Sequence, residues 1–155
     1  MSYATETSVS VERSRAEIES TLARYGAVKF AYATEEKRAA IMFVINGLGV
    51  RFELPLPDKS EKQFWFTPQR QNRRSDVEAY REWEQACRSR WRSLLLCIKA
   101  KLEACEQRIT TFEAEFLAHI ITPDGKTFGD IVVPQLMDMK QNGVQPRLQL
   151  EWRKE

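Results

Sequence analysis

From about residue 75 the apolar side chains keep one helical period for about thirty residues. Tyr80, Trp83, Cys87, Trp91, Leu94, Leu95, Ile98, Leu102 and Cys105 recur at threes and fours, the spacing that lines one face of an α-helix. Ser75 stands at the N-cap position, and Glu78 completes a capping box with it. A helix of that size is roughly 45 Å long at 1.5 Å per residue. It must pack along much of its length on other elements of the chain, or on another copy of itself.

What precedes this run has a different period. Ser14 and Glu17 read as a capping box, Ile18, Leu22 and Tyr25 as one helical face, and Gly26 as the C-terminal glycine. The expected helix runs from about residue 14 to 24. Then Val28, Phe30 and Tyr32 alternate with small or charged residues, as on a strand with one apolar face. In AAIMFVIN, Ile41, Phe43 and Ile45 alternate with Met42 and Val44, which predicts a central strand covered on both sides. Asn46-Gly47 signals a tight hairpin, and Val50, Phe52 and Leu54 alternate with Arg51 and Glu53. These segments make a three-stranded antiparallel meander, with KQFWFTP as a candidate fourth strand.

Beyond the long helix, Thr110 and Glu113 form a capping box ahead of Phe112, Phe116, Leu117 and Ile120, which are expected to face the core. TPDGKT is a turn. A further helical segment lies within 128–141, started or interrupted by Pro134 and ended by Asn142-Gly143. Strands grouped first and helices after them predict an α+β fold: an N-terminal helix, a three- to four-stranded antiparallel meander, a long amphipathic helix and two shorter helices. At 155 residues the chain fits one domain. Residues 1–12 read as a flexible N-terminus, 13–142 as the domain, and 143–155 as a C-terminal tail.

Charge is informative by its distribution. The net charge is only +2. Between residues 68 and 101, however, nine basic residues stand against four acidic ones. At about 100° per residue, Arg74, Arg81, Arg88, Arg92 and Lys99 point in similar directions, so an unbroken helix gathers them into one stripe beside the apolar face. Arg70, Arg73 and Arg74 lead into it from FWFTPQRQNRR. Such a stripe suits phosphate backbones through counterion release, and Trp65 and Phe66 suit stacking on unpaired bases. The same residues also read as a solvated face, with pairs Glu84–Arg88, Lys99–Glu103 and Glu78–Arg81, and as a sheet end leading into a helix.

Signals for chemistry are weak. His119 follows Glu115 by four residues, a pair that serves acid–base catalysis or only a local hydrogen bond. The GKT at 125–127 lacks the glycine five positions earlier that a phosphate loop needs; Ile120 stands there. Cys87, Cys97 and Cys105 are an odd count without a CxxC pair, and no zinc spacing appears, so no metal or cofactor is expected. The polar start MSYATETSVSVERS lacks the apolar stretch of a secretory signal. No run approaches a membrane span, and cytoplasmic thiols are expected. In the tail, Leu148, Leu150 and Trp152 alternate with polar residues, which suits addition to a sheet edge with Trp152 as a partner anchor.

The blocks RSRAEIESTLARYGA, RAAIMFVING, RFELPLP, WEQACRSRWRSLLLCIKAKLEACE and TTFEAEFLAHIITPDGKT resemble uncharacterised proteins of bacteriophages, prophages and other bacterial mobile elements over about residues 13 to 130. The resemblance carries over no catalytic residues; it implies a mobile-element setting, and so the host bacterial cytoplasm, where proteins of this size are often DNA-replication or recombination accessories or inhibitors of host defence. Two functions follow as expectations. One is a nucleic-acid-binding accessory that holds DNA or RNA through Arg70, Arg73, Arg74, Arg81, Arg88 and Arg92, with Trp65 and Phe66. The other is a protein-interaction module acting on a host or phage protein. A homo-oligomer through the long helix is compatible with either.

Overall fold

A computed structural model describes Ala4, residues 6–69 and residues 71–146. Arg70 and Trp152 lie outside the described residues, as do Leu148 and Leu150, so the expectations placed on them have no structural counterpart.

The architecture is α+β. The element order is α1 (Val11–Arg24), β1 (Val28–Thr34), β2 (Arg38–Ile45), β3 (Leu48–Pro55), α2 (Lys62–Trp65), α3 (Asp76–Glu106), α4 (Phe112–Phe116), a 3-10 turn (Leu117–His119) and α5 (Phe128–Asn142). The sheet is an antiparallel meander in the order β1-β2-β3. Ile45 pairs with Leu48, so the hairpin turns on Asn46 and Gly47, with φ of 51° and 78°. Only glycine, and less often asparagine, tolerates that region at low cost.

The long helix forms as its period requires. It is 31 residues, with Ser75 as N-cap and the Ser75–Glu78 box closed in both directions. Its face of Trp91, Leu94, Leu95, Ile98 and Leu102 packs with Ile18 and Leu22 of α1 and with Ile41, Phe43, Ile45, Val50 and Phe52 of the sheet in one core. Phe116, fully buried, closes that core against Phe52 edge-to-face at 6.1 Å and stacks on Phe112 at 4.6 Å. Fully burying a side chain of this kind contributes roughly 1.5–3 kcal/mol.

Several local expectations are corrected. The first helix starts earlier, at Val11, because Ser10 rather than Ser14 caps it by accepting from the Arg13 amide. Ser14 is buried inside the helix, and its hydroxyl has no hydrogen-bond partner among the described residues. In β1 the register shifts between Val28 and Ala31, and Lys29 has φ 57°. This bulge re-aims the strand and leaves Val28 exposed rather than in the core. On β2, Ile41, Phe43 and Ile45 are buried, but Met42 and Val44 are only half-buried, so the second face is not fully covered.

The Phe64–Phe66 stretch is not a fourth strand. It forms the short helix α2, which buries Phe64 and packs on α3, and Phe66 makes only a lone bridge to Arg73. The edge of β3 instead meets Ile120, whose neighbour Ile121 donates its amide to the Gly49 carbonyl at 2.8 Å. Thr111, not Thr110, caps α4. Leu117 is exposed rather than in the core. Pro134 sits inside α5, and Gly143 ends that helix at φ 67°.

Candidate functional site

The junction from α2 to α3 positions the basic residues. After α2 the chain turns back through Thr67: its hydroxyl accepts from the Asn72 amide at 3.1 Å, and its own amide donates to the Asn72 carbonyl at 2.9 Å. The Arg74 amide then donates to the Trp65 carbonyl at 2.7 Å. This reversal aims the Arg74 guanidinium at the end of α2. Its Nη1 donates to the carbonyls of Gln63, Phe64 and Phe66 at 2.9, 3.3 and 2.9 Å. Helix-end carbonyls lack intrahelical donors, so Arg74 acts as the C-terminal clasp of α2.

The remaining basic residues divide into two groups. Arg92 donates to Glu17 of α1 at 2.6 Å, with Lys99 4.0 Å from the same carboxylate. Arg88 holds the Gln85 side-chain carbonyl through Nε and Nη2 at 3.1 and 2.6 Å. Of the local pairs expected for the stripe, Glu84–Arg88 and Lys99–Glu103 give way to these contacts, and the Glu78 carboxylate is held by Ser75 rather than by Arg81. Arg73 and Arg81 are exposed and form no ion pair among the described residues. The Arg73 guanidinium lies 5.7 Å from the Trp65 ring centre. Trp65 is half-buried, its indole N–H donating to the Lys59 carbonyl at 2.8 Å, and Phe66 is half-buried beside it. The fold thus brings Trp65, Phe66, Arg73 and Arg74 together at one corner, whereas Arg92 bridges α3 to α1 and Arg88 binds Gln85 one turn back on α3.

His119 lies in the wall of a shallow pocket of about 530 Å³ shared with Arg51, Glu53, Gly129 and Asp130. Its ring stacks on Phe52 at 3.9 Å. Burial, then the charge of Lys101, lowers its pKa below the ordinary 6.5, and a hydrogen bond to the Arg51 backbone opposes them. Glu115 is engaged elsewhere, accepting from the Lys101 ammonium at 3.0 Å. Arg51 ties the pocket together, donating to the Gly125 carbonyl at 2.9 Å and to Asp130 at 3.1 Å. Asp130 is also the capping-box partner of Thr127, whose backbone N–H is the main cause of its lowered pKa. Among the described residues no group of three His, Cys, Asp or Glu side chains is placed to hold a metal ion, and no helix is long and apolar enough to cross a membrane.

The feature that sequence reading passed over is the open face of α5. Apolar residues recur along it, yet none is buried. Val133, Leu136 and Met137 keep 51%, 44% and 54% of their surface, and Met139 and Val144 are similarly open. Its N-terminal turn packs on the 3-10 turn so tightly that a Cβ on Gly129 would lie 2.7 Å from the Ala118 carbonyl oxygen. The signal was present in the composition of 128–139, which holds more apolar residues than one packed helix face needs.

Comparisons with protein-family models, curated proteins and solved structures return no match for this chain.

Proposed function

We infer that this chain acts by contact with protein through the open face of α5, and that the first partner of that face is a second copy of the chain. The observation that carries this reading is a capped, apolar helix with no buried residue. Isolated apolar side chains on a surface are ordinary, but a contiguous group of them marks an interaction site.

The order of charges on that face favours self-association. At about 100° per residue, Asp130, Val133, Leu136, Met137 and Lys140 fall within an arc of about 120°. The acid lies toward the N-terminal end, the base toward the C-terminal end, and the apolar residues between them. Two copies of α5 laid antiparallel bring Lys140 to the partner's Asp130 at both ends and Val133 to the partner's Met137 in the middle. A parallel pair sets like charges side by side. Such a two-fold contact is self-complementary, as closed dimers require. A small accessory that works by contact also fits the resemblance to phage and prophage proteins.

A second reading keeps nucleic acid as the partner. It is favoured by Arg73, beside the Trp65 ring, and by Arg81, both exposed and without ion pairs among the described residues.

Sedimentation velocity over a concentration series separates these ideas. One short helix makes a small interface and hence a weak dimer, so the series should extend well above about 10 μM. The wild type is expected to shift toward dimer with concentration. Met137→Glu, which places a charge in the apolar patch without touching the core, should remain monomeric with an unchanged melting curve. A wild type that stays monomeric throughout overturns the reading.

A further inference from the structure

On the opposite end of α3 from the core-closing Phe116, a groove of about 500 Å³ runs between the start of α1, the β1–β2 turn, the loop after β3 and α3. Its floor carries Tyr80 and Trp83, with ring centres 5.5 Å apart and planes tilted by 40°. The Trp83 indole N–H donates to the Pro57 carbonyl at 2.8 Å, which fixes the ring plane. Over these rings sits an ammonium group: Lys59 Nζ is 4.3 Å from the Trp83 centre and 5.7 Å from that of Tyr80. Among the described residues this ammonium has no carboxylate and no hydrogen-bond acceptor. Aromatic faces alone hold it. Glu12, Glu36 and Glu84 line the same groove, and neither Glu12 nor Glu36 forms an ion pair among the described residues.

Ring faces carry the negative part of the aromatic quadrupole and attract cations within about 6 Å. Unpaired carboxylates on the rim add a longer-range attraction for the same charge. A primary ammonium is compact and strongly hydrated, so Lys59 gives up solvation to rest there, and its exposed stem lets it swing back into water. An alkylated ammonium is larger and more weakly hydrated. Seated over the two adjoining rings in place of Lys59 Nζ, it covers more of both faces and gives up less solvation. The geometry points to a binding site for an alkylated ammonium group on Tyr80 and Trp83, with Lys59 as the resident cation that the ligand displaces. The group is a quaternary ammonium, whether on a free small molecule or as a trimethylated lysine in a partner chain. The proposal concerns a different surface from α5 and stands or falls separately from it.

The test follows the Trp83 indole N–H by NMR in the full chain, the resonance being assigned by its loss in Trp83→Phe. The probes are choline, a short peptide carrying trimethyl-lysine, and dimethylbutanol, the neutral isostere of choline. Choline is expected to shift the resonance saturably, with dimethylbutanol about ten-fold weaker. Lys59→Ala, a change at an exposed position, should tighten choline binding by about five-fold because the resident cation is gone. Tighter binding of the peptide than of choline points to a protein tail as the source; equal binding points to a free molecule. Equal shifts by choline and dimethylbutanol, or no saturable shift even in Lys59→Ala, overturn the proposal.

Discussion

Replacing Arg74 by alanine removes the clasp of α2, and the structure allows its effect to be sized. One guanidinium nitrogen reaches three backbone carbonyls at 2.9, 3.3 and 2.9 Å. Hydrogen bonds to charged groups are worth about 1.5–3 kcal/mol each when well formed. Two protons on that nitrogen are shared among three acceptors, and the side chain is only half-buried, so water replaces part of the loss. The net cost is about 2 kcal/mol, near the value of one strong charged hydrogen bond. For a chain of this length that lowers the melting temperature by about 4–8 °C. Thermal unfolding followed by circular dichroism, with a urea titration for the free energy, measures it. Arg73→Ala and Arg81→Ala, which remove exposed side chains without ion pairs among the described residues, should stay within about 0.5 kcal/mol of the wild type. An Arg74→Ala protein melting within about 1 °C of the wild type would refute the reasoning, because its carbonyl contacts would then contribute nothing measurable.

Two further outcomes are expected. Gly129→Ala drives a Cβ to 2.7 Å from the Ala118 backbone oxygen; the overpacking costs about 1–3 kcal/mol, part of which alanine's better helix propensity offsets, and a melting temperature equal to the wild type would contradict the close approach. His119 binds its proton less readily in the folded chain than in the unfolded one, since burial and Lys101 oppose the imidazolium. Stability should therefore rise with pH from the folded pKa up to about 6.5 and be flat above it as far as this group is concerned, a limb that His119→Phe removes; a ring that titrates at or above 6.5 by NMR contradicts the burial argument.

How much was legible from sequence follows from how local each determinant is. The Ser75–Glu78 box, the Asn46-Gly47 turn and the period of α3 are written within a few residues of one another, and each forms as read. Ser14 reads as the N-cap of α1, but packing draws it into the buried face of the helix, and Ser10, one turn earlier, caps instead. The apolar run Phe64–Phe66 fits a strand end or a helical turn equally well by pattern, and the burial of Phe64 against α3 decides for the turn. The arginine stripe required knowledge of a distant residue. Arg92 meets Glu17, 75 positions away in sequence, so a charge that looked free of local acids is paired in space. The excess of apolar residues on α5 is written in 128–139, but which of them stay open depends on what surrounds the helix, which no window of sequence contains.

The central claim sets protein contact through α5 against nucleic-acid binding through the arginines. One sedimentation velocity experiment addresses both, with the wild-type chain at increasing concentration in low salt beside a short labelled oligonucleotide. The account predicts that the protein moves toward twice its 18.1 kDa mass while the label sediments alone. Protein that stays at monomer mass, with the label sedimenting alongside it, would contradict the account and favour the arginine surface.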